Sequence, residues 1–93
     1  MVNQMRVEKE TLLKQELRFL AIETRNRLNL TQREMAALLD MSETSYSDIE
    51  TGVYKCGTLT TVLLLMEQED PTIFLLGLKE KFIELYNKEM QPV

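Results

Sequence analysis

From about residue 8 onward, apolar positions recur with the period of an α-helix. Leu13, Leu17, Leu20, Ala21, Thr24 and Leu28 fall at i, i+3 and i+4 intervals, one stripe of a long first helix. Asn29 predicts its stop, because Asn enters the left-handed region more easily than most non-glycine residues. Thr31, with Glu34 three residues later, forms a capping box and predicts a short second helix over 32–39. Asp40-Met41 reads as a tight turn, and Ser42 caps a third helix that ends near Glu50 and is stopped by Thr51-Gly52. After a loop over 53–57, Thr58 caps a fourth helix over about 59–68, with Leu59, Val62, Leu63 and Met66 on one side. Asp70-Pro71 restarts the chain, Asp as cap and Pro in the first turn, and the fifth helix covers 71–90. The expected fold is all-α, five helices with short connections.

The fifth helix is apolar over more than one side. Phe74, Leu85, Leu78, Phe82, Leu75, Tyr86, Met90, Ile83 and Leu76 sweep roughly 200° at 100° per residue. A surface helix needs a stripe of only about 100°. Either this chain buries the helix on two sides, or one side meets another subunit.

Composition narrows the chemistry. At 93 residues the chain has room for one small domain, read here as a single unit over 1–93. Its net charge of −4 excludes a generically basic nucleic-acid coat but not a local basic patch. There is no histidine, which removes His-based acid–base chemistry and His-ligated metals. The single cysteine, Cys56, cannot form an internal disulfide or a Cys-rich metal knuckle. Nothing pairs a nucleophile with a base, so neither an enzyme nor a cofactor is expected. The charged N-terminus and the short apolar run Val62–Met66 predict no signal peptide and no membrane span, hence a cytoplasmic protein.

The most informative stretch is Leu30 to Gly52. It holds two short capped helices, a small residue at the crossing (Ala36), and an apolar seam of Met35, Leu39, Tyr46 and Ile49: a helix-turn-helix. With Arg25, Leu30-Thr31-Gln32, Glu34, Ala36, Ser42, Ser47, Ile49-Glu50, Gly52 and Thr58-Leu59 with Leu63, residues 17–68 resemble the Cro/CI (XRE-type) family of phage-like repressors. The resemblance implies a lambda-repressor-like domain with 70–90 as an extended C-terminal helix. It implies a phosphate contact for Gln32, with Arg33 beside it, and base contacts for Glu43, Thr44, Ser47 and Asp48, with Ser42 opening that helix. It further implies a backbone contact for Lys55 and a structural ion pair between Arg25 and Glu50. Arg18 and Arg27 are further candidates for the phosphate rim. The sequence departs from the family in three places: Asp40 stands where Gly is usual, Tyr46 where Ile or Val is usual, and the third helix has no Lys or Arg. Asp40 must then bear a left-handed conformation, and the Tyr46 hydroxyl needs a partner or a path to solvent.

The function expected is a non-enzymatic, sequence-specific transcriptional regulator of duplex DNA. It is expected to act as a homodimer through Phe74, Leu75, Leu78, Phe82, Leu85 and Tyr86, on a near-palindromic operator. A phage-type repressor and a self-repressing antitoxin both fit. Three or four phosphate-neutralising cations per subunit predict a slope of log K against log salt of roughly −5 to −7. The alternative is a protein-interaction module whose acidic third helix binds a basic protein. Residues 18–55 carry five basic and six acidic groups, which motivates it.

Overall fold

The computed structural model describes residues 2–90, as five α-helices with no strand among them. They are α1 (Val2–Arg27), α2 (Gln32–Leu38), α3 (Glu43–Glu50), α4 (Thr58–Met66) and α5 (Pro71–Met90). None is long and apolar enough to cross a membrane.

The first three helices end in the same way. At each terminus a residue with positive φ turns the chain: Asn29 at 56°, Asp40 at 55°, Gly52 at 82°. The next amide reaches back six residues in all, Leu30 to the Arg25 carbonyl (3.0 Å), Met41 to Ala36 (3.0 Å) and Val53 to Asp48 (2.8 Å). These closures satisfy carbonyls that a helix end otherwise leaves bare. Leu30 and Met41, displaced by the turn, pack against the core, whereas Val53 is 59% exposed. Thr31 and Glu34 form both halves of the expected capping box, and the Ser42 hydroxyl accepts from the Ser45 amide at 3.1 Å.

Leu17, Leu20 and Ala21 of α1 meet Met35, Ala36, Leu39, Tyr46 and Leu64 in one buried cluster, with Phe74 of α5 packed against it. Buried Thr24 donates to the Leu20 carbonyl (2.6 Å) and accepts from Gln68 (2.9 Å), tying α1 to the end of α4.

Four boundaries differ from the sequence reading. α1 starts at Val2, not near residue 8. Its first turns show no apolar stripe, yet Gln4–Glu8 and Arg6–Glu10 pair one turn apart. Further along, α1 lies beside α5: Lys9 sits 5.7 Å from the Phe82 ring centre, and Lys81 bridges to Glu16. Thr58 is the first residue of α4 rather than its cap. Gly57 is the cap, with no side-chain bond. α2 and α4 stop at Leu38 and Met66, one and two residues early, because Leu39 and Glu67 adopt the capping role.

The broad apolar arc of α5 divides in two. Phe74, Leu78, Phe82 and Leu85 are half-buried on the side that faces α1. Leu75, Leu76, Ile83 and Tyr86 remain exposed, while the Met90 side chain lies outside the described residues. The paired α1 and α5 extend past the core, which accounts for the 48 × 26 × 19 Å outline.

The left-handed turn at Asp40 gives a direct test. A Cβ in that region costs roughly 1–2 kcal/mol, partly offset in glycine by a freer unfolded chain. Asp40→Gly should therefore raise stability by about 0.5–1 kcal/mol. The readout is a higher urea midpoint at unchanged slope; a lower midpoint would show that the aspartate side chain supports the turn.

Candidate nucleic-acid interface

α3 is an eight-residue helix, too short to persist alone, so its position depends on what holds its inner side. Tyr46, Ile49 and Glu50 are buried; Glu43, Thr44 and Ser45 are exposed, and Ser47 and Asp48 half-buried. The outward surface is thus made of short hydroxyls and two carboxylates. Of the residues assigned to base contact, Glu43, Thr44, Ser47 and Asp48 all escape the core. Ser42 is engaged as the cap, and its hydroxyl also donates to Ser45 Oγ at 2.9 Å.

Behind α3 lies a hydrogen-bond network centred on Glu50, which is only 7% exposed. Arg25 approaches its carboxylate in fork geometry, Nε to Oε2 at 2.6 Å and Nη2 to Oε1 at 3.1 Å. Gln32 donates its side-chain amide to Oε1 at 3.0 Å, and the Tyr46 hydroxyl donates to Oε2. Tyr46 thereby has the partner its hydroxyl required. The Arg25 Nη1 also reaches the Leu30 carbonyl (3.2 Å), so one side chain joins α1, the α1–α2 turn and α3.

Burial would push the Glu50 carboxyl up, but donors from Arg25, Tyr46 and Gln32 outweigh it and hold the group below the ordinary range. The hydrogen bonds to Glu50 likewise push Arg25 up. For a carboxyl whose folded pKa is depressed, the stabilisation is present above its unfolded pKa and is lost as pH falls through the folded value. Burial pushes Tyr46 up, with the neighbouring carboxylate adding to it, so the phenol stays a donor. In the capping box, the Thr31 amide holds Glu34 low. Burial raises the Cys56 thiol, which opposes thiolate chemistry there.

Two further arginines of α1, Arg18 and Arg27, also end on carbonyls of their own chain. Arg18 Nε donates to the Glu50 carbonyl at the end of α3 (2.6 Å). Arg27 Nη2 donates to the Glu67 carbonyl at the end of α4 (2.8 Å). Each thus meets the negative end of a helix. Neither is placed as a free rim cation, contrary to the reading from sequence. Gln32, given a phosphate by the resemblance, directs its amide to Glu50 instead. Among the described residues, Arg33 and Lys55 are exposed and make no hydrogen bond or ion pair. Sequence reasoning also passed over Tyr54, 64% exposed beside Lys55. The signal was an aromatic residue in a short loop that also carries Val53 and Lys55.

Removing one partner of a buried pair strands the other and costs about 3–5 kcal/mol. Arg25→Met and Glu50→Leu should each lose that much, and the double mutant should recover part of it. Tyr46→Phe should cost about 1.5–3 kcal/mol, the scale of a hydrogen bond to a charged group. Denaturant unfolding of all four variants measures the coupling; strict additivity of Arg25 and Glu50 would contradict it.

Searches of curated proteins and of solved structures return no significant match. A helix-turn-helix family model matches residues 22–68, half of the chain, from the last turns of α1 to the end of α4. That span contains every member of the Glu50 network except Arg18, together with the whole outward surface of α3. The chain belongs to the XRE-type helix-turn-helix family of DNA-binding regulatory domains.

Proposed function

We propose that the protein is a sequence-specific transcriptional regulator that binds a near-palindromic duplex operator as a homodimer. Each α3 enters the major groove, the two half-sites lying about 34 Å apart. One observation carries this reading. α3 presents Glu43, Thr44, Ser47 and Asp48 outward from a backbone fixed by Glu50, Arg25 and Tyr46. Thr and Ser accept or donate to several base edges, and a carboxylate accepts from cytosine N4. Arg33 and Lys55 supply charged phosphate contacts. Gln32 reaches a phosphate only if its amide leaves Glu50.

With Arg18 and Arg27 engaged on carbonyls of their own chain, two uncommitted cations per subunit remain, four per dimer. At about −0.9 per neutralised phosphate, log K should fall against log salt with a slope near −3.6, shallower than the sequence count implied. Titrating a duplex enriched from a random pool at several salt concentrations measures it; a slope of −6 or steeper would mean that the engaged arginines swing out to the DNA.

The same engaged arginines favour a second reading, a scaffold that binds a basic protein through acidic α3. It predicts no enrichment from a random duplex pool even at low salt, with the protein folded.

For dimerisation the exposed half of α5 is the better surface than the half facing α1. A groove of about 390 Å³ runs along the edge where that half meets α1, lined by Lys9, Leu75, Leu78, Lys79, Phe82, Ile83 and Tyr86. Leu75→Lys and Ile83→Lys should yield folded monomers in sedimentation, because these side chains are already 50% exposed. Phe74→Lys should instead unfold the chain. A dimer that survives the first two substitutions would place its interface elsewhere.

A further inference from the structure

The groove between α1 and α5 has walls and charges that nothing above has used. Leu78 and Phe82 line it on the side toward α1, and Leu75, Ile83 and Tyr86 on the outer side. The outer three are exposed, and large apolar side chains gathered in one furrow mark a contact surface. The lining runs from Leu75 to Tyr86, about 16 Å along α5 at 1.5 Å per residue, so the hollow is elongated rather than bowl-shaped. Two cations stand in it and no acid. Lys9 comes from α1, its ammonium 5.7 Å from the Phe82 ring centre, and Lys79 comes from α5. Among the described residues neither makes an ion pair, whereas neighbouring Lys81 is bridged to Glu16. A chain of net charge −4 thus sets two uncompensated ammonium groups in an apolar furrow. Lys9 is half-buried there and gives up hydration that only an arriving anion would offset.

We propose that this groove is a docking site for an acidic amphipathic helix of another protein. Its length matches about three helical turns, whose apolar residues at i, i+3, i+4 and i+7 fill the furrow. Carboxylates flanking that stripe meet Lys9 and Lys79. The two cations come from different helices, and Lys79 stands midway along the furrow, with apolar residues before and after it. Charges so placed suit the flanks of a helix better than the single terminal carboxylate of a small acid. A second copy of this chain is a poorer occupant. Its own lining brings two more lysines and no acid, so a symmetric pairing across the groove sets like charges together. Leu75, Ile83 and Tyr86 also belong to the surface assigned above to the homodimer. On that reading, on which this one consequence rests, a helix in the groove and a second copy exclude each other, and the acidic partner dissolves the operator-binding pair.

The test uses the full chain and two synthetic helical peptides of about four turns. Both carry a leucine stripe at i, i+3, i+7 and i+10; glutamates flank it in one and lysines in the other. At low salt the glutamate peptide should bind roughly tenfold more tightly in fluorescence anisotropy. It should shift backbone amide resonances over 75–86 and leave those of α3 in place. Lys9→Glu and Lys79→Glu together should reverse the preference. Lys79→Glu alone alters an exposed side chain, should leave thermal unfolding unchanged and should remove most of the preference, which decides the matter if the double variant unfolds. Equal affinity of the two peptides for the wild type would overturn the proposal, and so would resonance shifts confined to other helices. A wild type that stays dimeric in sedimentation and takes up neither peptide would give the surface to a second copy and overturn it too. Peptide binding is read without DNA, so the groove and the operator reading fail separately.

Discussion

Glu50 is the carboxylate around which three helices are arranged. It is nearly sealed from water, so its charge persists only because Arg25, Gln32 and Tyr46 satisfy both oxygens. Those donors come from α1, α2 and α3, and Arg18 adds a fourth link through the backbone of the same residue. The apolar cluster beneath supplies most of the burial, but Leu, Met and Ala contacts tolerate sliding, whereas a forked guanidinium on a carboxylate does not. The packing holds α3 in place and the network fixes its angle. Tyr46 shows how a departure from the family is absorbed: its ring fills the seam, and the added hydroxyl becomes a further donor to the charge already there.

The same arrangement governs the outer electrostatics. Arg18, Arg25 and Arg27 lie on one helix close to the helix-turn-helix, and by sequence position each could face a nucleic acid. Each instead ends on a carbonyl or a carboxylate of its own chain. The domain thus closes two helix C-termini with guanidinium groups, leaving a surface around α3 that is polar and slightly acidic. Specific contacts on such a surface have to rely on hydrogen-bond geometry more than on long-range attraction.

Much of this was legible in the residues. Periodicity and caps placed all five helices, because Thr31, Ser42, Asp70-Pro71, Asn29 and Gly52 are local signals read by the nearest few backbone groups. The pairing of α1 with α5 was not legible, since the side chains that meet stand more than sixty residues apart in sequence. The fate of Arg27 was hidden for the same reason: the carbonyl it meets is forty residues distant. The α5 arc was visible as an excess of apolar positions, but not which half α1 covers. Local chemistry announces where helices start and stop; the direction a long side chain takes is decided by neighbours the sequence does not place side by side.

The closure at the end of α3 has a consequence for how the surface could change over time. Asp48 enters it only through its main-chain oxygen, so any residue that tolerates the helix can stand there without loosening the loop. The outward Asp48 side chain is free to vary, while the frame that carries it is written in Gly52, Thr51 and the peptide backbone. A lineage could change the outward surface of α3 by single substitutions at this position, with no repair needed elsewhere in the fold.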